Sequence, residues 1–337
     1  MQKKILATLG PSSMSESTVK SCAEFGVYLF RINLSHTPID QVEENIKRIQ
    51  SWTDRPVCLD SEGAQLRNGF MVNEQVEFKK GEKIRIEIDP VIGDSHRISF
   101  YPTNVSKQFD VDDEIQVDFH HARFRIVKKN PDYYSAIVTS GGTIGSNKAA
   151  DVNREVVFDS LTKKDRIAIE IGKRNGLRHF AMSFTNSPED VELMRNVCGD
   201  DANIICKIES ILGVKNLEKI VERADEILID RGDLSRRIPI KRIPFLQRHI
   251  ISTARSMHKQ VFVATNLLES MVTAQSPNRA EVNDVISTLE MGANGLVLAA
   301  ETAIGKYPVE AVQMIRSLIN EYERWTSDIS ITDLLRA

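Results

Sequence analysis

Short apolar runs recur along the chain: KILAT (4–8), YLFRIN (28–33), VCLD (57–60), HFAMSF (179–184), IICKIE (204–209), EILID (226–230), VFVAT (261–265) and GLVLAA (295–300). They are nearly continuous rather than alternating, as expected of parallel strands covered on both faces. Amphipathic segments such as SESTVKSCAEFG, EDVELMRNV, VKNLEKIVERA, LQRHIISTARSMHK and NDVISTLEMGA separate most of them, with polar helix-start residues and Gly or Asn near several ends. Eight such units predict an α/β chain closed into a (β/α)8 TIM barrel. Chemistry in that architecture gathers at the C-terminal ends of the strands. The rule selects Arg31, Asn33, Asp60, Lys207, Glu209, Asp233, Thr265 and Glu301.

One connection breaks the pattern. After VCLDSEGAQLRNG the helical period disappears, and alternating runs (KIRIEI, EIQVDF, FRIVKK, YSAIVTS) follow between Gly, Pro and Asp signals. A β-rich domain over 70–157 is expected here, inserted after strand 3 of a barrel made from 1–69 and 158–337. Leaving from a strand end, it would hang over the barrel mouth as a lid. The stretch after Glu323 is too short for another domain.

With 337 residues, 41% hydrophobic and 27% charged, the chain can bury a large core. Its net charge of -3 gives no electrostatic ground for a nucleic-acid partner, so an acidic ligand would have to meet local positive charge. Cys22, Cys58, Cys198 and Cys206 lie far apart without a CxxC spacing, which points to buried free thiols rather than disulfides or zinc. The N-terminal apolar run is too short for a signal peptide, and no run approaches the ~18 residues of a membrane span. A cytoplasmic protein with no membrane partner is expected.

Lys207 and Glu209 stand two positions apart on one strand and therefore share a face. They could form a structural ion pair, but a lysine at a dry strand end is better explained by an anion in its pocket, such as a phosphate or an enolate. Asp233, in IDRGDLS (229–235), follows the next strand, and carboxylates from adjacent strand ends suit Mg²⁺ or Mn²⁺. The backbone N–H groups around Gly232, Asp233 and Leu234 could receive a substrate carboxylate; the plainer reading is a capped turn. RINLSH (31–36) sets Arg31, Asn33 and Ser35 at alternate positions, either a binding strand end or an ordinary helix cap. Arg67 is a phosphate clamp or an exposed hinge residue. His96, His120 and His121 lack metal-site spacing and read as surface residues.

These motifs in sequence resemble the pyruvate kinase family: the opening KILATLGPSS through RINLSH, then LDSEGAQLR, ICKIES, IDRGDLS, VATNLLESM, NRAEVNDV and AAETAIGKYPVEAV, with GGTIGSNKAADVN in the insertion. The resemblance runs from about residue 3 to 323. It implies the family's barrel and lid, and transfer of the phosphoryl group of phosphoenolpyruvate to ADP, giving pyruvate and ATP. Glu209 and Asp233 would hold the divalent ion, and Lys207 and Arg31 would neutralise the moving phosphoryl group. Thr265 would border the enolate carbon and the substrate carboxylate. Asn33, Ser35, Asp60 and the carbonyl of Ser61 would form a potassium site, with His36, Arg67 and Asn33 towards the nucleotide. The family's C-terminal effector domain has no counterpart after residue 323, so its allosteric control would be absent, while barrel faces could still support a homodimer.

The departures fall on the substrate side. Glu62 stands where the family has lysine and Ala64-Gln65 where it has Pro-Glu, which leaves potassium dependence open. Asp230 replaces an alanine, Ala299-Ala300 replaces Ser-Gly, Ser235, Arg236 and Arg237 replace small and acidic groups, and Asn186 replaces arginine. Beside a phosphotransferase, two further readings stand: a lyase or aldolase using a metal-stabilised enolate, and a silent ligand-sensing derivative. The last predicts loss at Lys207, Glu209, Asp233 or Thr265, and all four are present.

Overall fold

The computed structural model describes residues 2–63, 65–118, 122–325 and 332; His120 and His121 lie outside the described residues. The chain divides into two units, 1–63 with 161–337, and 64–160.

In the first unit eight parallel strands close into a barrel: β1 (Lys4–Leu9), β2 (Val27–Asn33), β3 (Val57–Asp60), β4 (His179–Met182), β5 (Asn203–Ile208), β6 (Glu226–Asp230), β7 (Gln260–Ala264) and β8 (Gly295–Leu298). Each pairs with its neighbours in sequence, and β8 pairs with β1. This is the expected (β/α)8 architecture. The helices that follow are α1 (Glu16–Glu24), α2 (Ile39–Trp52), α3 (Lys163–Arg174), α4 (Pro188–Cys198), α5 (Leu217–Arg223), α6 (Ile243–Ser256), α7 (Arg279–Glu290) and α8 (Pro308–Arg324). Local chemistry starts several of them: Thr162 with Asp165, Ser187 with Asp190, and Asn278 with Glu281 each form a reciprocal capping box.

The middles of the strands are apolar because both faces are buried there. On β1, Ile5, Ala7 and Leu9 pack outwards with the helices, in a cluster that includes Val19 and Cys22 of α1. Leu6, between them, joins Leu29, Cys58, Ala181, Ile205, Leu228, Phe262, Ala264 and Val297 in a separate cluster drawn from all eight strands, a plug across the barrel interior. Phe262 is its largest side chain. Gly295 of β8 is the space Phe262 needs, since a Cβ there would lie 2.8 Å from its ring and 2.5 Å from the Lys4 carbonyl. Below the plug sits a polar cluster. Lys4 Nζ lies 3.5 Å from Glu226 and 4.0 Å from the Tyr28 ring centroid, and Tyr28 meets His179 edge to face.

The second unit begins at residue 64, so Leu66–Asn68 and Arg67 belong to it rather than to the barrel. Seven of its strands form a closed barrel in the order 133–140, 83–87, 97–101, 66–68, 149–152, 114–117, 122–129; Gln75–Phe78 and Gly142–Gly145 make a separate pair. Phe78, Phe100, Phe109, Phe124 and Tyr134 fill its core. His96 is exposed, in line with its reading as a surface residue. All four cysteines are free and buried, and burial pushes the Cys22, Cys58, Cys198 and Cys206 thiols up from their ordinary value. Among the described residues no helix is long and apolar enough to cross a membrane.

Truncating the plug should destabilise the barrel unit strongly. Phe262→Ala is expected to cost about 3–5 kcal/mol, the usual range for a fully buried aromatic, read as a lowered urea midpoint in equilibrium unfolding. A shift within error of zero would show that Phe262 does not hold the interior.

Candidate active site

Two positions beyond the plug, towards the C-terminal strand ends, strand alternation brings Thr8, Arg31, Asp60, Ser183, Lys207 and Asp230 to the same inward face. This layer is the candidate site.

Lys207 of β5 is its hub, only 5% exposed. Its Nζ lies 3.3 Å from Asp60 Oδ1, 3.0 Å from Ser183 Oγ and 2.9 Å from Glu209 Oε1. Burial alone would lower its pKa, but Asp60, Glu209 and Asp230 outweigh that and hold it above the ordinary lysine value. Lys207 is therefore a fixed cation. Asp60, fully buried at the end of β3, also lies 3.5 Å from Arg31 Nε. That contact is outside hydrogen-bond geometry: Nε and Nη1 of Arg31 are buried without a hydrogen-bond partner among the described residues. Two guanidinium nitrogens without a hydrogen bond on a cation that is 3% exposed are costly unless a further acceptor meets them.

Ser183 knits the layer. Its hydroxyl donates to the Ser61 carbonyl at 2.7 Å, and its N–H donates to Ser61 Oγ at 2.9 Å. Ser183 was not selected from the sequence, where it reads as the trailing residue of an apolar run.

The acidic side of the site comes from β5 and β6. Glu209 accepts a 2.6 Å hydrogen bond from the Phe184 N–H at Oε2, while its buried Oε1 has no hydrogen-bond donor among the described residues despite the nearby ammonium. Burial pushes Glu209 up to about 8, against the pull of Lys207 and with a further push from Asp233 and Asp230. Asp233 is raised as well, by burial and by Asp230, with Arg236 at 3.3 Å opposing. Glu209, Asp230 and Asp233 each offer a carboxylate oxygen within 4.8 Å of the others. Crowded oxygen donors fit a hard divalent cation, whose charge would oppose the upward shifts.

Thr265, just past β7, has a left-handed backbone (φ 75), and Asn266 follows it (φ 57). That conformation is strained for a β-branched residue. Arg231 clamps it, donating from Nε and Nη2 to the Thr265 carbonyl at 3.1 and 2.6 Å, with Nη1 on Asp284 at 2.6 Å. The Thr265 hydroxyl donates to Asp230 Oδ1 at 2.6 Å, and the Gly232 N–H donates to the same oxygen at 3.1 Å. A Cβ at Gly232 would fall 2.8 Å from Thr265 Cγ2, so glycine permits this close approach. Arg231 carried no signal in the sequence beyond its place in IDRGDLS.

A cavity of about 480 Å³ adjoins the layer, its lining including Gly10, Pro11, Arg31, Asn33, His36 and Ala300. Asn33 sits opposite Asp60 in the β2–β3 register, and its Oδ1 accepts from the Ser35 N–H at 2.9 Å. The structure thus brings Arg31, Asp60, Ser61, Lys207, Glu209, Asp233, Gly232 and Thr265 into one constellation, with Asn33 and His36 on the adjoining cavity. Arg67 lies in the inserted unit, where Nη1 donates to the Asn147 carbonyl at 3.0 Å. Glu301, selected by the strand-end rule, has a structural role instead. It accepts the N–H groups of Leu268 and Ala299 at 3.1 and 2.9 Å and ties the ends of β7 and β8 together.

Residues 1–312 match the family profile described as pyruvate kinase, barrel domain. The pyruvate kinase of Thermotoga maritima is 31% identical over 332 residues, covering 95% of this chain and 71% of that protein. That of Methylorubrum extorquens is 32% identical over 327 residues, 95% of this chain and 68% of its own length. The plastidial pyruvate kinase 3 of Arabidopsis thaliana is 31% identical over 325 residues, 94% of this chain but 57% of its own. On the match to the barrel profile and on these identities, the chain belongs to the pyruvate kinase family.

Proposed function

We propose that the chain catalyses metal-dependent phosphoryl transfer between phosphoenolpyruvate and ADP, giving pyruvate and ATP. The observation that carries this reading is the pair of buried cations: Arg31, with two nitrogens that make no hydrogen bond among the described residues, and the ammonium of Lys207, both beside Asp60. A loose phosphoryl-transfer transition state demands electrostatic stabilisation of the equatorial oxygens above all, and a preorganised guanidinium and ammonium supply it. The kinship with proteins named pyruvate kinase supplies the substrate pair.

In this reading Glu209 and Asp233 hold Mg²⁺ or Mn²⁺, which when bound neutralises charge on the transferred group. Arg31 and Lys207 bind and orient the phosphoryl oxygens. Ser183 and Asp60 fix Lys207 in place, and the Thr265 hydroxyl with the Gly232 N–H receives the substrate carboxylate. His36 and Asn33, on the cavity of the first unit, serve the nucleotide. Asn33, Ser35, Asp60 and the Ser61 carbonyl are the proposed K⁺ ligands. One observation favours a second reading, a metal-stabilised enolate reaction on another substrate: Asp230 adds a carboxylate where the family pattern has alanine.

Three measurements test the reading. Pyruvate formation from phosphoenolpyruvate and ADP with Mg²⁺ is expected in the native chain and lost in Lys207→Met, which should still bind divalent metal; turnover unchanged in that variant would sink the site. Glu209→Gln should weaken Mn²⁺ binding by about tenfold or more, as removal of a ligand oxygen does, read from the electron paramagnetic resonance signal of free Mn²⁺. Equal affinity in the two proteins would exclude Glu209 as a ligand. Adding K⁺ to an assay free of it decides the potassium dependence that Glu62 and Gln65 leave open: a rise in turnover supports the proposed monovalent site, and a rate indifferent to K⁺ removes it.

A further inference from the structure

Asp230 ends β6, and the layer of charged residues above the barrel plug includes it. Its Oδ1 is the acceptor for two donors at once, the Thr265 hydroxyl at 2.6 Å and the Gly232 N–H at 3.1 Å. A hydroxyl has one proton to give, and a short bond to a carboxylate oxygen commits it. Neither donor is free to move away. Thr265 is held in its left-handed conformation by the Arg231 guanidinium, and Gly232 is packed so close to Thr265 that no Cβ would fit between them. The pair therefore makes a rigid seat, and a side chain of this protein fills it.

These are two of the donors that, on the phosphoryl-transfer reading, receive the carboxylate of phosphoenolpyruvate. We propose, resting on that reading, that Asp230 is an internal stand-in for the substrate carboxylate and the residue that sets how tightly this site holds it. Two physical effects act in the same direction. An incoming carboxylate has to displace Asp230 from the Thr265 hydroxyl and the Gly232 amide before it gains either bond. It also enters a space where Glu209, Asp230 and Asp233 already stand within 4.8 Å of one another, and a further like charge is repelled wherever a bound cation has not cancelled them. Phosphoryl compounds without a carboxylate meet neither obstacle. Phosphoenolpyruvate is accordingly held weakly, because its carboxylate has to displace Asp230 from both donors. The nucleotide cavity, lined by His36 and Gly10, does not include Asp230 and is left unchanged.

The test is direct binding of phosphoenolpyruvate by isothermal titration calorimetry to the full chain and to Asp230→Ala and Asp230→Asn. Each protein is held at Mn²⁺ saturation established by its own titration. Asp230→Ala is expected to bind phosphoenolpyruvate about tenfold more tightly or better, the gain from freeing two hydrogen-bond donors. Asp230→Asn, nearly isosteric, should fall between, because its amide oxygen still takes both donors but carries no charge. ADP affinity should stay the same in all three. Binding to both variants no tighter than to the native chain overturns the role of Asp230 and leaves the phosphoenolpyruvate assignment standing. Failure of all three proteins to bind phosphoenolpyruvate, while all bind Mn²⁺, overturns the assignment and the proposal together.

Discussion

The site is organised around an ammonium group that has almost no access to water. Lys207 is buried on a barrel strand, and it remains charged because Asp60 and Glu209 stand within about 3.3 Å of its nitrogen. Breaking one side of a buried ion cluster costs far more than an exposed pair would, because the remaining charges lose their compensation. The neighbours follow from this constraint. Ser183 must present an oxygen to the ammonium, Asp60 must be shared with Arg31, and β3, β4 and β5 must keep their register to within a hydrogen bond. The apolar plug beneath excludes water from the cluster and so raises the strength of every interaction in it.

The crowding of negative charge beside that cation is the complementary feature. Three carboxylates, one just past β5, one at the end of β6 and one in the short helix after it, crowd together. Asp233 has Arg236 beside it, yet burial and Asp230 still push it up. A site so arranged stores electrostatic stress that a divalent ion, bound there, would relieve.

Much of this was legible in the sequence, and the reasons differ by residue. The eight strands could be read because parallel strands covered on both faces leave continuous apolar runs. Arg31, Asp60, Lys207 and Glu209 stood out as charges at the ends of such runs, where sequence alone exposes an anomaly. Glu301 stood out for the same reason and proved to be a clamp on two backbone N–H groups, since charge at a strand end says nothing about what the charge faces. Ser183 left no trace because a serine after an apolar run is unremarkable until the Lys207 nitrogen is placed 3.0 Å from it. The inserted unit was recognisable as β-rich, but Leu66–Asn68 and Gly142–Gly145 are too short or too rich in glycine to register as strands. Closure of seven strands into a second barrel depends on pairing that no local pattern encodes.

Asp165, the capping residue of α3, also accepts the N–H groups of Glu62 and Gly63 at the end of β3. Glu62 and Gly63 precede the inserted unit and Asp165 follows it, so a single carboxylate joins the two chain ends from which the insertion departs. The circuit from β3 to the helix that should follow it is completed within the first unit. To the barrel, the whole intervening domain is then topologically a surface loop whose ends are already fastened. The entropic cost of such a loop grows only with the logarithm of its length, which makes this junction a place where a chain can acquire, lose or exchange a domain while the barrel's own ladder stays intact.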